Sequence, residues 1–235
     1  MKVSIVIPAY NEETSIERTI KSLLNQTYRD FEIIVVDNNS KDKTREIASR
    51  YVRTVNETKQ GYIFAVRRGI EETNGEILTI CDADSIYPQK WLEKMVKSFK
   101  RKDIVAVYGT AMFYDTNKFM SLISLVSYTV FLWLSKFLGL DNTAGFNFLF
   151  RRESYLESGG YDPNWKWGSP DIDLGRRLKK FGKIKLRNVI VMTSARRFKK
   201  GGFLKTTKMF IGMWRQMLKN KTPDISYDEY NKARK

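Results

Sequence analysis

The strongest constraint on this chain is the rhythm of its first 110 residues, where short apolar runs alternate with segments of helical spacing. Val3–Ile7 is followed by Asn11, placed to cap a helix carrying Ile16, Ile20, Leu23 and Leu24. Phe31–Val36 reads FEIIVV, the continuous apolar run of a strand covered on both faces. Ser40 is placed to cap a short helix through Thr44, Ile47 and Ala48, and Val52–Val55 reads as a third strand. Tyr62–Glu72 is a helix and Glu76–Cys81 a fourth strand. Pro88 opens a helix through Trp91, Met95 and Phe99, since a first turn tolerates proline, and Ile104–Val107 is a fifth strand. This alternation predicts an α/β fold, a mostly parallel mixed sheet with helices on both faces. Ligands of such sheets sit beyond the carboxyl ends of the strands. Pro8, Tyr10 and Asn11 fall there after strand one, Asp37 after strand two, and Asp82 and Asp84 after strand four.

The second half is less regular. It holds an apolar segment at Phe119–Leu140, a strand around Asn147–Phe150, a helix from Pro170 to Phe181 ended by Gly182, and a strand at Ile184–Met192. The expected division is a domain over 1–195, with halves 1–110 and 111–195, and a basic amphipathic extension over 196–235.

Composition restricts the chemistry. The 235 residues include no histidine, which excludes His-based triads, His-metal sites and an imidazole base. The single cysteine, Cys81, excludes a disulfide framework and a multi-cysteine zinc site. Acid–base work falls to carboxylates, lysine or tyrosine. The net charge is +16, and residues 196–235 carry 12 basic against 3 acidic side chains, so more than half of the excess lies there. Such a surface suits nucleic acid, an anionic membrane or phosphorylated substrates. The N-terminal apolar stretch is too short for a signal-peptide core, which points to a cytoplasmic protein.

Asp82-Ala83-Asp84 can share a hard divalent cation while leaving positions for phosphate oxygens, although a solvated turn would use the same residues. A second Asp-x-Asp, Asp171-Ile172-Asp173, lies behind Ser169 and Pro170 at a helix start, where acids are favoured by the helix field. That field also keeps Asp171 ionised, as a carboxylate base requires. Asp37 fits an Asx-turn and also fits an acceptor for a nucleobase N–H.

Five ordered blocks resemble the family-2 inverting glycosyltransferases of the GT-A fold. They are VSIVIPAYNE; LLNQTY with FEIIVVDNNSKDKT; GYIFAVRRGIEETNGEILTICDADS; NFLFRRESYLESGGYDP; and GSPDIDLGRRLKKFG. The resemblance implies that Pro8, Ala9, Tyr10 and Glu12 line a nucleotide pocket, with Asp37 reading the base and Gly61 and Arg67 flanking it. It further implies that Asp82 faces the ribose or metal, that Asp84 binds Mn²⁺ or Mg²⁺, and that Asp171 is the catalytic base. Arg196 and Arg197, otherwise a solvated basic turn, fall where family members often have a basic loop, and one of them is expected to clamp the diphosphate. Two departures stand out: the usual Asp-Asp is Asp37-Asn38, and the usual Glu before the base is Pro170. The implied donor is a UDP- or GDP-linked sugar, and the acceptor a glycan or a lipid-linked sugar or polyprenyl phosphate.

Phe119–Leu140 has the length of a membrane span, with one charge, Lys136, and five Ser and Thr residues, Ser121, Ser124, Ser127, Thr129 and Ser135. A single crossing would separate Asp84 from Asp171, so a buried or interfacial helix is expected. Phe203–Lys219 places Phe203, Phe210, Trp214 and Met217 on one face with lysines mostly opposite, the pattern of a helix lying in an anionic interface. Packing that face on the domain would give the same pattern. The expectation is a peripheral protein on the cytoplasmic face of a membrane. A nucleotidyltransferase would need a Gly-rich triphosphate loop after strand one, which the sequence lacks. A nucleic-acid-binding protein would leave Asp82, Asp84 and Asp171 without purpose, so no nucleic acid is expected.

Overall fold

The structure, a computed structural model, describes residues 1–165 and 170–218. Eight strands form one sheet: β1 (Val3–Ala9), β2 (Phe31–Asp37), β3 (Arg53–Asn56), β4 (Ile77–Ile80), β5 (Ser85–Ile86), β6 (Ile104–Phe113), β7 (Phe148–Arg151) and β8 (Lys183–Thr193). Their order is β3-β2-β1-β4-β7-β6-β8-β5. Only β7 and β5 run against the rest, so the sheet is mixed and mostly parallel. β6 spans residue 110, and strands from both expected halves interleave around it.

The helices are α1 (Ile16–Leu24), α2 (Thr44–Ser49), α3 (Tyr62–Glu71), α4 (Trp91–Val96), α5 (Lys118–Phe137), α6 (Arg152–Glu157), α7 (Pro170–Leu178), α8 (Arg196–Gly201) and α9 (Phe203–Leu218). Two apolar layers cover the sheet. Val3, Ile5 and Ile7 of β1 pack with Ile16, Ile20 and Leu23 of α1 and with Trp91 and Met95 of α4. Val6 points the other way, into a layer with Ile63, Val66 and Ile70 of α3 and Leu174 and Leu178 of α7. Each of the three α1 side chains is fully buried and contributes roughly 1.5–3 kcal/mol. Gly69 lets α3 approach this closely, because a Cβ there would stand 2.3 Å from Val6 Cγ1.

Several local expectations are corrected. The N-cap position of α1 is Ser15, and that of α2 is Lys43. Asn11 instead adopts φ 53°, the left-handed region open to asparagine, and Ser40 faces it. The Ser40 hydroxyl accepts from the Asn11 amide at 3.0 Å, and Asn11 Oδ1 accepts from the Lys41 amide at 2.8 Å. The two capping residues thus tie the loops after β1 and β2 together. Pro88 precedes α4, its carbonyl accepting from the Trp91 amide, and Phe99 falls in a 3-10 turn, Lys97–Lys100. Gly182 does not end α7, which stops at Leu178. Its lack of a side chain admits Val105 and the Asp103 carbonyl, which a Cβ would meet at 2.6 and 2.8 Å. The turn expected at Arg196 is the first residue of α8.

Part of the apolar face of α9 packs on the protein. Trp214 Nε1 donates to Ser135 Oγ at 2.9 Å, its ring lies 5.5 Å from Phe131, and Phe210 stacks on Phe198. Met213 is buried with Leu140 and Ile172. Phe210 and Trp214 are thus half-buried, while Leu204 and Ile211 on the same helix stay exposed. The side chains of Phe203 and Met217, and residues 219–235 with Lys219, lie outside the described residues, as does Ser169.

Candidate active site

Because β1, β2 and β4 are parallel, Pro8–Glu12, Asp37 and Asp82–Asp84 gather at one edge of the sheet. Tyr10 is 38% exposed beyond β1, while Ala9 is buried with its carbonyl accepting from the Asn38 amide. Asp37 is buried; its Oδ2 accepts weakly from the Ser40 amide at 3.3 Å. Its Oδ1 is buried without a hydrogen-bond donor. An acceptor left so is costly unless a ligand meets it. Asp37 lines a groove with Asn39, Ser40, Lys43 and Asn56, into which neither Asp84 nor Asp171 reaches.

Asn38 explains the first sequence departure. It donates to the carbonyls of Glu57 and Lys59 at 2.9 and 2.8 Å and accepts from the Gly61 amide at 2.7 Å. A carboxylate could do only the accepting half. Gly61, at φ 140°, needs glycine's freedom to turn into α3. Arg67, on α3, donates to the Tyr161 carbonyl at 2.9 Å, so its visible bond braces the loop before α7.

Asp84 is buried and held from two sides. Thr19 of α1 donates between the carbonyls of Ala83 and Ser85, each at 2.8 Å. The short β5 pairs Ser85 with Thr193 at the end of β8. That pairing delivers Arg196 to the site. Its Nη2 donates to Asp84 Oδ2 at 2.9 Å and to Glu12 Oε1 at 2.5 Å, and its Nη1 to Glu12 Oε2 at 3.1 Å. Asp115 positions this segment, accepting from the Ser194 hydroxyl at 2.8 Å and the Ala195 amide at 2.7 Å. Burial pushes the Asp115 carboxyl up, but these bonds and one from Lys199 outweigh it and hold it low. Arg197 is half-buried in the next position of α8.

Asp171 lies in the first turn of α7, half-buried and densely surrounded. Desolvation, opposed by a hydrogen bond from Tyr161 and aided by the charge of Asp82, pushes its pKa up to about 6. Tyr161 Oη, fully buried, donates to Asp171 Oδ1 at 2.6 Å. Thr143 donates to the Asp171 carbonyl at 2.6 Å. Gly145 approaches the carboxylate closely, its backbone hydrogen-bonding Asp171: a Cβ there would stand 3.0 Å from Asp171 Oδ2 and 3.1 Å from Tyr62 Oη. Asp173 is occupied differently, paired at 2.9 Å with Arg177 one turn on. Cys81 is buried and its thiol is pushed far up by desolvation, so it is no nucleophile.

The donor set suits a hard cation. Among the described residues no three acidic side chains form a metal cluster, so Asp82 and Asp84 would hold such an ion with ligand oxygens completing the shell. Glu12 and Asp84 already share the positive charge of one guanidinium. Sequence reasoning missed Thr19, Asp115, Thr143, Gly145 and Tyr161. Only Gly145 and Tyr161 left a trace, next to or within the block NFLFRRESYLESGGYDP.

Residues 4–159 match the model of Glycosyl transferase family 2. The chain belongs to that family and has the GT-A fold. It is 30% identical over 189 residues to glycosyltransferase AglE of Haloferax volcanii, covering 77% of this chain and 62% of AglE. It is 34% identical over 114 residues to dolichol-phosphate mannosyltransferase of Pyrococcus furiosus, covering 46% and 32% of the two chains. The chain therefore spans less than two thirds of these relatives. In structure it is similar to a mannosyltransferase of Pyrobaculum calidifontis in complex with GDP-mannose and Mn²⁺. The TM-score is 0.68 at 20% identity, over 89% of this chain and 64% of that one.

Proposed function

We propose that this domain transfers a sugar from a UDP- or GDP-linked donor to the hydroxyl or phosphate of a lipid-linked acceptor, with inversion. The observation that carries this reading is Asp171, a carboxyl with pKa raised to about 6 within electrostatic reach of Asp82. Near neutral pH it is ionised yet basic enough to take a proton. Its Oδ2 receives the acceptor proton, while Tyr161 fixes the other oxygen. The acceptor oxygen bonds to the anomeric carbon, the bond from that carbon to the diphosphate oxygen breaks, and the diphosphate departs with the electron pair.

Asp37 Oδ1 accepts from the nucleobase, and Pro8, Ala9 and Tyr10 line the nucleotide, with Gly61 and Arg67 shaping the neighbouring wall. Arg196, with Arg197 beside it, turns from Glu12 and Asp84 to the diphosphate. Asp82 and Asp84 would hold a divalent cation, as Mn²⁺ accompanies the donor in the Pyrobaculum neighbour, and it would supply charge neutralisation to the leaving diphosphate. The lipid-linked acceptor draws support from the dolichol-phosphate relative, and such an acceptor would be met from a peripheral position at the cytoplasmic face of a membrane. The test is nucleoside diphosphate release from a panel of nucleotide sugars, with Mn²⁺ and polyprenyl phosphate in vesicles. Asp171→Asn is expected to lose at least 100-fold in kcat while still binding nucleotide, and the anomeric configuration of the product is read by NMR. Undiminished turnover in that variant overturns the reading.

A further inference from the structure

Helix α5 is turned inside out for a water-soluble domain. Three of its hydroxyls face the protein: Thr129 bonds Thr110 at 2.8 Å, Ser121 donates to the Phe113 carbonyl at 2.5 Å, and Ser124 accepts from the Phe113 amide at 3.2 Å. Phe119, Leu122, Val126, Val130, Trp133 and Phe137 recur at helical spacing along the opposite face. Each is 49% exposed or more, and Phe137 reaches 88%. At 1.5 Å per residue the stripe runs for about 27 Å. α5 is long and apolar enough to span a membrane, but β6 before it and β7 after it are paired neighbours in the sheet. The helix therefore lies along the domain rather than leaving it.

The charges around the stripe favour one occupant. No acid occurs in α5, and Lys118 opens it. Trp133 shares a groove with Lys94 and Arg187. Among the described residues, none of these three cations is in an ion pair. An apolar stripe bordered by an indole and uncompensated cations matches an anionic lipid surface, with the helix in the plane of the interface. We infer that α5 is the surface by which this domain docks on an anionic bilayer. The docking stands on α5 itself; its use rests on the lipid-linked acceptor proposed above. On the inner side of α5, Tyr128 meets Phe146 with ring centroids 6.4 Å apart, and Gly145 next to Phe146 borders the Asp171 carboxylate. A bilayer on the outer side thus brings a lipid headgroup to the catalytic half of the domain.

The test uses the 235-residue chain with vesicles of phosphatidylcholine, with and without phosphatidylglycerol. Wild type is expected to co-sediment with the anionic vesicles. Val126→Glu/Val130→Glu is expected to weaken that binding roughly tenfold or more, and Lys94→Glu/Arg187→Glu to remove the preference for phosphatidylglycerol. Brominated lipid should quench a tryptophan signal that Trp133→Phe abolishes. A nucleotide-induced thermal shift retained in the variants shows that they fold, and its presence or absence judges the transferase reading separately. Three results overturn the inference: no vesicle binding, unchanged binding in Val126→Glu/Val130→Glu, or a dimer in light scattering that this variant dissociates without any effect of lipid.

Discussion

Removing one hydroxyl from Tyr161 should move the pH dependence of the reaction. Asp171 has its pKa raised to about 6 by desolvation, and the 2.6 Å bond from Tyr161 limits that rise. A hydrogen bond to a charged group contributes roughly 1.5–3 kcal/mol, and 1.36 kcal/mol corresponds to one pH unit. Tyr161→Phe keeps the buried ring and loses the donor, so the ionised carboxylate is disfavoured by that amount. The acid limb of kcat/KM, expected near pH 6 in wild type, should climb by roughly one to two units in Tyr161→Phe. The assay is the initial rate of nucleotide-sugar consumption between about pH 5 and pH 9. Stability supplies a second readout. An acid raised from 3.8 to about 6 binds its proton more tightly when folded, so its contribution is full below about pH 4 and lost as pH rises through about 6. The span is on the order of 3 kcal/mol, and Asp171→Asn should erase it. An acid limb unmoved by Tyr161→Phe, or a rate that does not fall below pH 6, would refute the assignment of Asp171 as base.

Arg196→Ala leaves Glu12 and Asp84 facing each other and should cost roughly 1–3 kcal/mol in urea unfolding. Mn²⁺ should then raise Tm more in this variant than in wild type; equal shifts would show that the guanidinium does not stand in the cation's place. Asn38→Asp keeps the acceptor for Gly61 but turns two donors toward the carbonyls of Glu57 and Lys59 into repulsion. It should lose roughly 3 kcal/mol by chemical denaturation, and a neutral result would mean that the 57–61 loop is held by other means.

The alternating half of the fold was legible because β1, β2 and β4 are apolar runs and α1 and α3 each carry an apolar stripe. The acids at the strand ends followed directly from the parallel sheet. β5 was not legible, since two residues carry no periodicity and its partner Thr193 lies 108 positions away. Long separations, 112 positions between Arg196 and Asp84 and 79 between Ser194 and Asp115, hid the meeting at Asp84 and the bracing by Asp115. Asn11 and Ser40 misled as caps because a short polar side chain serves a cap and a cross-loop bond equally well. Apolar length marked α5 and amphipathicity gave the stripe of α9, but neither showed what covers each helix. Trp214 turned inward because Ser135 and Phe131 offered its indole both a hydrogen bond and a ring, whereas Trp133 found neither on the domain. Asn38, a departure on the family pattern, became intelligible only once its three bonds were seen.

The most direct measurement is thermal unfolding with UDP, GDP, dTDP, CDP and ADP, each with and without Mn²⁺, on wild type and Asp84→Asn. A ligand at 100 times its dissociation constant stabilises by about 2.7 kcal/mol, a clear shift in a domain of this size. A stabilisation by UDP or GDP that requires Mn²⁺ and disappears in Asp84→Asn is the predicted result. No shift with any nucleoside diphosphate, or one indifferent to both the metal and Asp84, would contradict a nucleotide-sugar site at this edge of the sheet.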